Sequence, residues 1–600
     1  MEALKSASSR KLAWLAVIAL LLVIYLGSAF TPGLQDDVDS SHAEAAREML
    51  TRGDFVTLHI NGVRYLEKAP VMYWLVAGCY RVLGANALAT RLPTVVAMLL
   101  LVILGMYWGQ RAFGERAGIY TGLFMATGVG CFLFTRVLIP EAILSLLIAC
   151  AFYCLVSALD RPNAVWQWYA GYALLAVAVL TKGLMAMVVI GLTLVAYLVV
   201  TGEWRRWREF RLGTGLLLFV VIAAPWHILA SLRNPKVGDH QGFLWFYFVN
   251  EHFLRFLGKR VPKDYNKLPG YLYWSLHLVW LFPWSIYLPI AVRRLWVQMR
   301  QAKREHKPLD FRTRTRWICI LWASVTLLFF SFSTNQEYYT FPAYLALFML
   351  LAVSVAGEEE EGRKSWLVAC TGVSVAARLA FAAALIGGLW SSRHLPFVPD
   401  IGEVLSETNA QDYTLSMGHI LDLTGQSFAA LRFPAILAVI ALGVGSLVEF
   451  ILRMKRKNYA STWALGLTMT VFLVAAHVAL VRFDPYMGSK TIAMRLKAEL
   501  RPQDKLLIYG DQSLGSSLVF YLQRPIELIN GRESSMWFGS SFPDAPHIFL
   551  EDSDLLRMWS SNTRVFLFVP EAQRAKVLAL LPNPQVFTES SGKMVYVNHE

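Results

Sequence analysis

Long apolar runs separated by short polar clusters fill the first 482 residues of the chain. A helix needs about 20 apolar residues to cross the hydrocarbon core of a bilayer. Runs of that kind fall near 12–30, 88–108, 116–134, 139–159, 165–181, 183–201, 212–231, 271–292, 317–332, 339–356, 366–390, 431–452 and 461–482. The pattern predicts an α-helical polytopic membrane domain over 1–482, with about thirteen transmembrane helices. Beyond 483 the period changes. Lys505–Tyr509, Ser517–Tyr521, Val565–Val569 and Lys593–Val597 alternate or cluster as short strands do, and helical patterns lie near 488–501 and 571–581. A soluble α/β domain over 483–600 is expected.

Charge orients these elements. Lys5, Arg10 and Lys11 precede the first run, which predicts a cytoplasmic N-terminus. Counting crossings then puts the basic clusters Arg111–Arg116, Glu203–Arg208, Arg293–Arg316 and Arg453–Lys457 on that same side. Short cytoplasmic loops are enriched in Lys and Arg, so four separate loops agree with the count. An odd number of crossings sends the tail to the other face, together with three long segments, 31–87, 232–270 and 391–430. Long loops in a compact protein tend to be functional, so the outer face is where a site is expected.

Composition narrows the class. Of 600 residues 56% are hydrophobic and 16% charged, too apolar for an ordinary soluble protein. The net charge of +14 sits in the short loops and not along one face, so it reads as topology and gives no reason to expect nucleic acid. All six cysteines lie in or beside apolar runs, and neither a disulfide framework nor a zinc knuckle is indicated.

Chemistry concentrates in the first outer segment. Asp36, Asp37 and Asp39 follow the first membrane run and precede an amphipathic helical pattern. Carboxylates there are candidates to take a proton from a hydroxyl or amine, or to bind a divalent cation. Alternatively Asp39 or Ser40 caps the helix, with the other acids favoured by its positive end. Further on, Tyr65-Leu66-Glu67-Lys68-Ala69-Pro70 brings an ammonium to the interface. Lys68 there is either a snorkelling residue or a point charge for a lipid phosphate.

The order Asp-Asp-x-Asp-x-x-His-Ala-Glu-Ala-Ala-Arg-Glu-Met, then Asn-Gly-Val-Arg-Tyr-Leu-Glu-Lys-Ala-Pro, resembles the bacterial branch of the protein O-mannosyltransferase and lipid A aminoarabinose transferase family. The likeness continues through Arg136–Glu141, Thr181-Lys182-Gly183, Pro225-Trp226-His227, Asn250–Phe256 and Tyr338–Pro342, and so covers roughly residues 10–360. It implies a GT-C glycosyltransferase of the bacterial inner membrane. Such an enzyme takes a sugar from a polyprenyl-phosphate carrier and passes it to lipid A, a protein or another envelope glycan.

On that resemblance an acid of the first loop activates the acceptor, with Asp37 preferred over Asp36 and Asp39. Val38 stands where the family pattern has one of its acids. Lys68 and Arg255 would neutralise the lipid phosphate, and Tyr65, Glu67 and one of Tyr338 and Tyr339 match positions lining that region. Glu141 stands where relatives often have Asp, so it joins the catalytic candidates; its other reading is a pair with Arg136. Glu251 and Arg255, four apart, would pair on a helix. Asn335-Gln336-Glu337 replaces a stretch where many relatives carry Lys. A metal ion, if one is used, would draw on Asp37 and Glu67. The alternative from another class is a transporter of a lipid-linked sugar, marked by inverted repeats and broken helices at midplane; no clear repeat is visible.

Overall fold

A computed structural model describes residues 2–161, 164–238, 240–263, 267–305, 309–362, 365–405, 423–532 and 536–599. Of the third outer segment, 391–430, residues 406–422 lie outside the described residues.

Each of the thirteen apolar runs is helical. Among the described residues, nine helices are long and apolar enough to cross a membrane by length and composition. A tenth is counted if Gly270–Trp280 and Trp284–Arg300, bent by 101°, form one span. The other three runs fall outside that set. The first is helix Glu2–Leu21 continued by a π-helical turn to Leu26, the run at 116–134 breaks into Glu115–Thr127 and Val129–Leu133, and the third is Val165–Lys182.

Ion pairs tie the four basic loops together at one end of the bundle. Arg314 reaches Glu203 at 2.8 Å and Asp160 at 3.5 Å, and Arg111 reaches the same Asp160 at 3.3 Å. Glu359 takes Arg453 at 2.9 Å and lies 3.7 Å from Arg116, while Arg294 holds Glu358 at 2.8 Å. These loops share one end, as the crossing count requires. The acidic run at 358–361 supplies their counter-charges, because a buried carboxylate needs a cation and these cations are adjacent.

The opposite end carries the first long loop and the tail. The loop folds as helix Val38–Arg52 and the hairpin β1 (His59–Ile60) and β2 (Val63–Arg64). The tail forms a six-stranded sheet of β3 (Lys505–Tyr509), β4 (Glu527–Ile529), β5 (Phe549–Leu550), β6 (Val565–Val569), β7 (Gln585–Ser590) and β8 (Lys593–Val597), in the order β5-β4-β3-β6-β8-β7. Strands β3 to β6 pair in parallel, and β8 and β7 add an antiparallel edge. One sequence expectation is corrected. Ser517–Tyr521 lies within helix Ser516–Leu522, the crossover between parallel strands β3 and β4. A short apolar run buried on all sides carries no period that separates strand from helix, and a parallel pair needs a crossover.

The tail is seated on the first loop. Helix Ser516–Leu522 packs against helix Val38–Arg52, Ser40 and Ser516 share a hydroxyl hydrogen bond of 2.7 Å, and Asn61 both donates to the Ile526 carbonyl and accepts from its N–H, at 2.7 and 3.0 Å. Asp400, from the start of the third segment, accepts from the Ser591 N–H at 2.6 Å.

Candidate active site

A cavity of about 340 Å³ opens between the first loop, the 232–270 segment and the membrane helices. Its lining holds Lys68, Lys182 and Arg255 with Glu67, Glu141 and Glu251, and also the apolar side chains Met185, Val188, Phe253 and Phe256.

The two outer segments meet through charge. Glu67 lies 3.4 Å from Lys68 Nζ and 2.6 Å from an Arg260 guanidinium nitrogen. Arg260 also reaches Glu251 at 2.7 Å, and Glu251 pairs with Arg255 at 2.6 Å, the expected i,i+4 partner. Glu251 and His252 lie on a ten-residue π-helix, Trp245–Leu254, a form that recurs at functional sites. Burial, then the nearby Glu67 carboxylate, raises the Glu251 pKa above the ordinary range.

His252 is held as a neutral acceptor. Its Nδ1 lies 2.6 Å from the Tyr247 carbonyl, and its Nε2 accepts from Leu184 N–H at 3.1 Å, so Nδ1 carries the proton. Burial lowers its pKa to about 4. This approach requires Gly183: its φ is +70°, and a Cβ there would fall 2.2 Å from His252 Nε2. Across the cavity His42 lies 2.9 Å from the Tyr73 hydroxyl, and burial, aided by Lys68, lowers its pKa to about 3.

Glu141 opens the helix Glu141–Asp160 at the cavity wall. It pairs with Lys182 and not with Arg136, whose guanidinium instead donates to the Ile24 carbonyl and lies over Phe132. The second carboxylate oxygen of Glu141 is buried and has no hydrogen-bond partner among the described residues. Lys182 also stands 4.4 Å from the centre of the Tyr339 ring and 5.7 Å from that of Tyr338. A cation therefore occupies this wall, although Asn335-Gln336-Glu337 carries none; Asn335 donates to the Phe330 carbonyl at 2.8 Å.

The expected residues thus divide. Lys68, Glu67, Glu141, Arg255, Tyr338 and Tyr339 line one cavity; Tyr65 is buried with its ring centre 6.1 Å from that of His42, and Asp36, Asp37 and Asp39 are not among the lining residues. Asp39 is fully buried, bridging Arg91 at 3.1 Å and accepting from Leu138 N–H at 2.8 Å. Asp36 faces the tail, with Lys593 at 2.9 Å, the Ser489 hydroxyl at 2.6 Å and Ser517 N–H at 2.9 Å. Asp37, at φ 69°, occupies the position before helix Val38–Arg52, where Asp39 or Ser40 was expected as cap, and its N–H donates to Ser513 and Ser516.

Lys182 and Arg260 were not singled out from the sequence. Lys182 had a signal, since a lysine dividing two apolar runs is costly unless it is paired or functional. Arg260 had none, lying among Lys259, Lys263 and Lys267. No group of three or more His, Cys, Asp and Glu side chains among the described residues is arranged to hold a metal ion. Glu67 is engaged by Arg260 and Lys68, and Asp37 is absent from the cavity lining, so these two do not fit a shared metal site.

Comparison with known proteins matches the same region. Residues 67–229 fit the family model described as dolichyl-phosphate-mannose-protein mannosyltransferase, a stretch that includes Lys68, Glu141 and Lys182. The undecaprenyl phosphate-alpha-4-amino-4-deoxy-L-arabinose arabinosyl transferase of Erwinia tasmaniensis is 25% identical over 87% of this chain and 86% of its own. The chain is thus similar, over its length, to the aminoarabinose transferases and, over residues 67–229, to the protein mannosyltransferases. The like-named Pseudomonas aeruginosa enzyme is 28% identical, over 57% of this chain and 59% of its own length. In fold, the crystal structure of ArnT from Cupriavidus metallidurans bound to undecaprenyl phosphate superposes with a TM-score of 0.76 over 98% of both chains, at 24% identity. The archaeal oligosaccharyltransferase AglB of Archaeoglobus fulgidus gives 0.50 over 99% of this chain and 75% of its own, at 9% identity.

Proposed function

We propose that this chain is an integral-membrane glycosyltransferase that moves a sugar from a polyprenyl-phosphate donor to an acceptor at the outer face of the bacterial inner membrane. One observation carries the reading: a single cavity is lined by three cations and three carboxylates together with apolar side chains, and one Glu141 carboxylate oxygen meets no hydrogen-bond partner among the described residues. Those are the chemistries that a prenyl chain ending in a phosphate needs. The similarity to arabinosyl transferases favours lipid A as acceptor and an amino sugar as the group transferred. The basic loops gathered at the far end of the bundle support a periplasmic cavity and a periplasmic domain over residues 483–600.

Glu141 is the base in this reading. Its free oxygen takes the proton of the acceptor hydroxyl as that oxygen attacks the anomeric carbon. The bond from that carbon to the phosphate oxygen breaks, and its electron pair leaves with the polyprenyl phosphate. Lys68 and Arg255 face the charge that develops there, fixed in advance by their carboxylate partners. One displacement needs one base and inverts the anomeric centre. With His42 and His252 neutral, the charge in the cavity lining comes from Lys68, Lys182 and Arg255 and from Glu67, Glu141 and Glu251.

Purified protein given a polyprenyl-phosphate-linked amino sugar should release polyprenyl phosphate only when lipid A is added. Mass spectrometry of lipid A, envelope glycans and exported proteins, with and without the chain, identifies the acceptor. A donor that crosses the membrane uncleaved in the presence of this chain would favour the transporter and sink the enzyme.

A further inference from the structure

Arg260 is not among the residues lining the cavity, yet it connects those that are. Its guanidinium side chain is 5% exposed. It donates to Oε1 of Glu67 at 2.6 Å, to Oε1 of Glu251 at 2.7 Å and to the Pro262 carbonyl at 2.6 Å. Each carboxylate gives its other oxygen to a cavity-facing cation: Glu67 Oε2 lies 3.4 Å from Lys68, and Glu251 Oε2 lies 2.6 Å from Arg255. The five groups alternate in sign along one line, three cations against two carboxylates, and span the first loop and the 232–270 segment.

We propose that Arg260 is the positioning residue of the phosphate site, holding Lys68 and Arg255 through the two acids and setting the net positive charge that the cavity presents. This rests on the phosphate reading above. Both carboxylates are almost fully buried, and a buried carboxylate stripped of its cation either draws on the next one or takes a proton. Without Arg260 the cluster falls from a surplus of one positive charge to none, and Glu67 and Glu251 compete for Lys68 and Arg255. Protonating one acid restores the surplus. Among the described residues, the other charged groups facing the cluster are Lys182 and Glu141, which pair with each other; His42, His252 and the buried Tyr65 are neutral there.

The test is binding of undecaprenyl phosphate to the full-length protein in detergent. Arg260→Gln should weaken binding about tenfold near pH 8, the loss expected for a charge-assisted contact. It should recover towards about pH 6 as one acid protonates, while the wild type changes little over that range. Arg260→Gln combined with Glu251→Gln restores the surplus charge and should bind within about threefold of wild type at either pH. That pair also covers a single variant that fails to fold, because it removes a cation and an acid together.

Wild-type affinity in Arg260→Gln at both pH values overturns the proposal. So does a loss in the double variant as large as in the single one and independent of pH. Lys68→Ala separates the levels: if it weakens binding and Arg260→Gln does not, the relay fails and the phosphate reading stands. If Lys68→Ala binds as wild type does, the phosphate reading fails and takes the relay with it.

Discussion

The two halves of the first outer loop contain similar residues and use them differently. Around Asp36 to Asp39 the carboxylates are drawn into structure: Asp39 into a buried pair with Arg91, Asp36 into the seat of the sheet domain. Around Glu67 and Lys68 the same kinds of charge line a cavity, held from behind by Arg260. What separates them is what packs opposite. An acid facing a complete set of donors is a structural strut, whereas an acid or cation with one side turned to open space is available to a ligand. Sequence position alone does not record that difference.

The comparison is most strongly tested at Glu141. Glu141→Gln should cut the transfer rate by about 10²–10⁴-fold, the usual contribution of a positioned base, and leave undecaprenyl phosphate binding intact. Asp37→Asn, outside the cavity lining, should lose less than about threefold. Equal losses in the two would erase the distinction between the halves. Asp39→Asn should act on the fold: breaking the buried pair with Arg91 costs about 3 kcal/mol, read as a lower Tm in detergent. A variant that keeps its Tm but loses transfer would return Asp39 to the chemistry.

A smaller effect is expected at the seat of the tail. Asp36→Asn removes one side of a mostly buried pair with Lys593 and weakens two hydrogen bonds. About 1–2 kcal/mol of docking is at stake, so limited proteolysis near Gly488 should quicken while Glu141-dependent transfer falls only a few-fold. The smallest effect at neutral pH concerns His42. Its pKa is about 3 in the folded protein against about 6.5 when exposed, so the unfolded chain binds a proton first as pH falls. Its contribution to stability is complete above about 6.5 and is lost progressively towards about 3. His42→Gln should therefore flatten the fall in Tm over that window, and an unchanged slope would mean that the ring is not held neutral.

Much of the fold was legible because hydrocarbon selects long apolar runs and the loops between them carry charge. All thirteen runs are helical, and strands β3, β6 and β8 lie where their apolar residues cluster. The crossover helix Ser516–Leu522 was not legible as a helix, since Leu518, Val519 and Phe520 are all buried and leave no polar face to set a period. In the site, Lys68, Glu67 and Arg255 came from motif order and i,i+4 spacing. The partner of Glu141 did not: Arg136 is near in sequence, but Lys182 arrives from another helix, and tertiary packing chose between them. Arg260 could not be told from its basic neighbours until the fold buried it between two acids.

One measurement bears most directly on the central claim, that the charged lining of this cavity receives a lipid phosphate: a structure of the full-length protein with undecaprenyl phosphate. The account predicts phosphate oxygens within hydrogen-bond distance of Lys68 and Arg255, with the prenyl chain leaving past Met185 and Phe256. Phosphate bound elsewhere, with Lys68 and Arg255 still turned to Glu67 and Glu251, would contradict it.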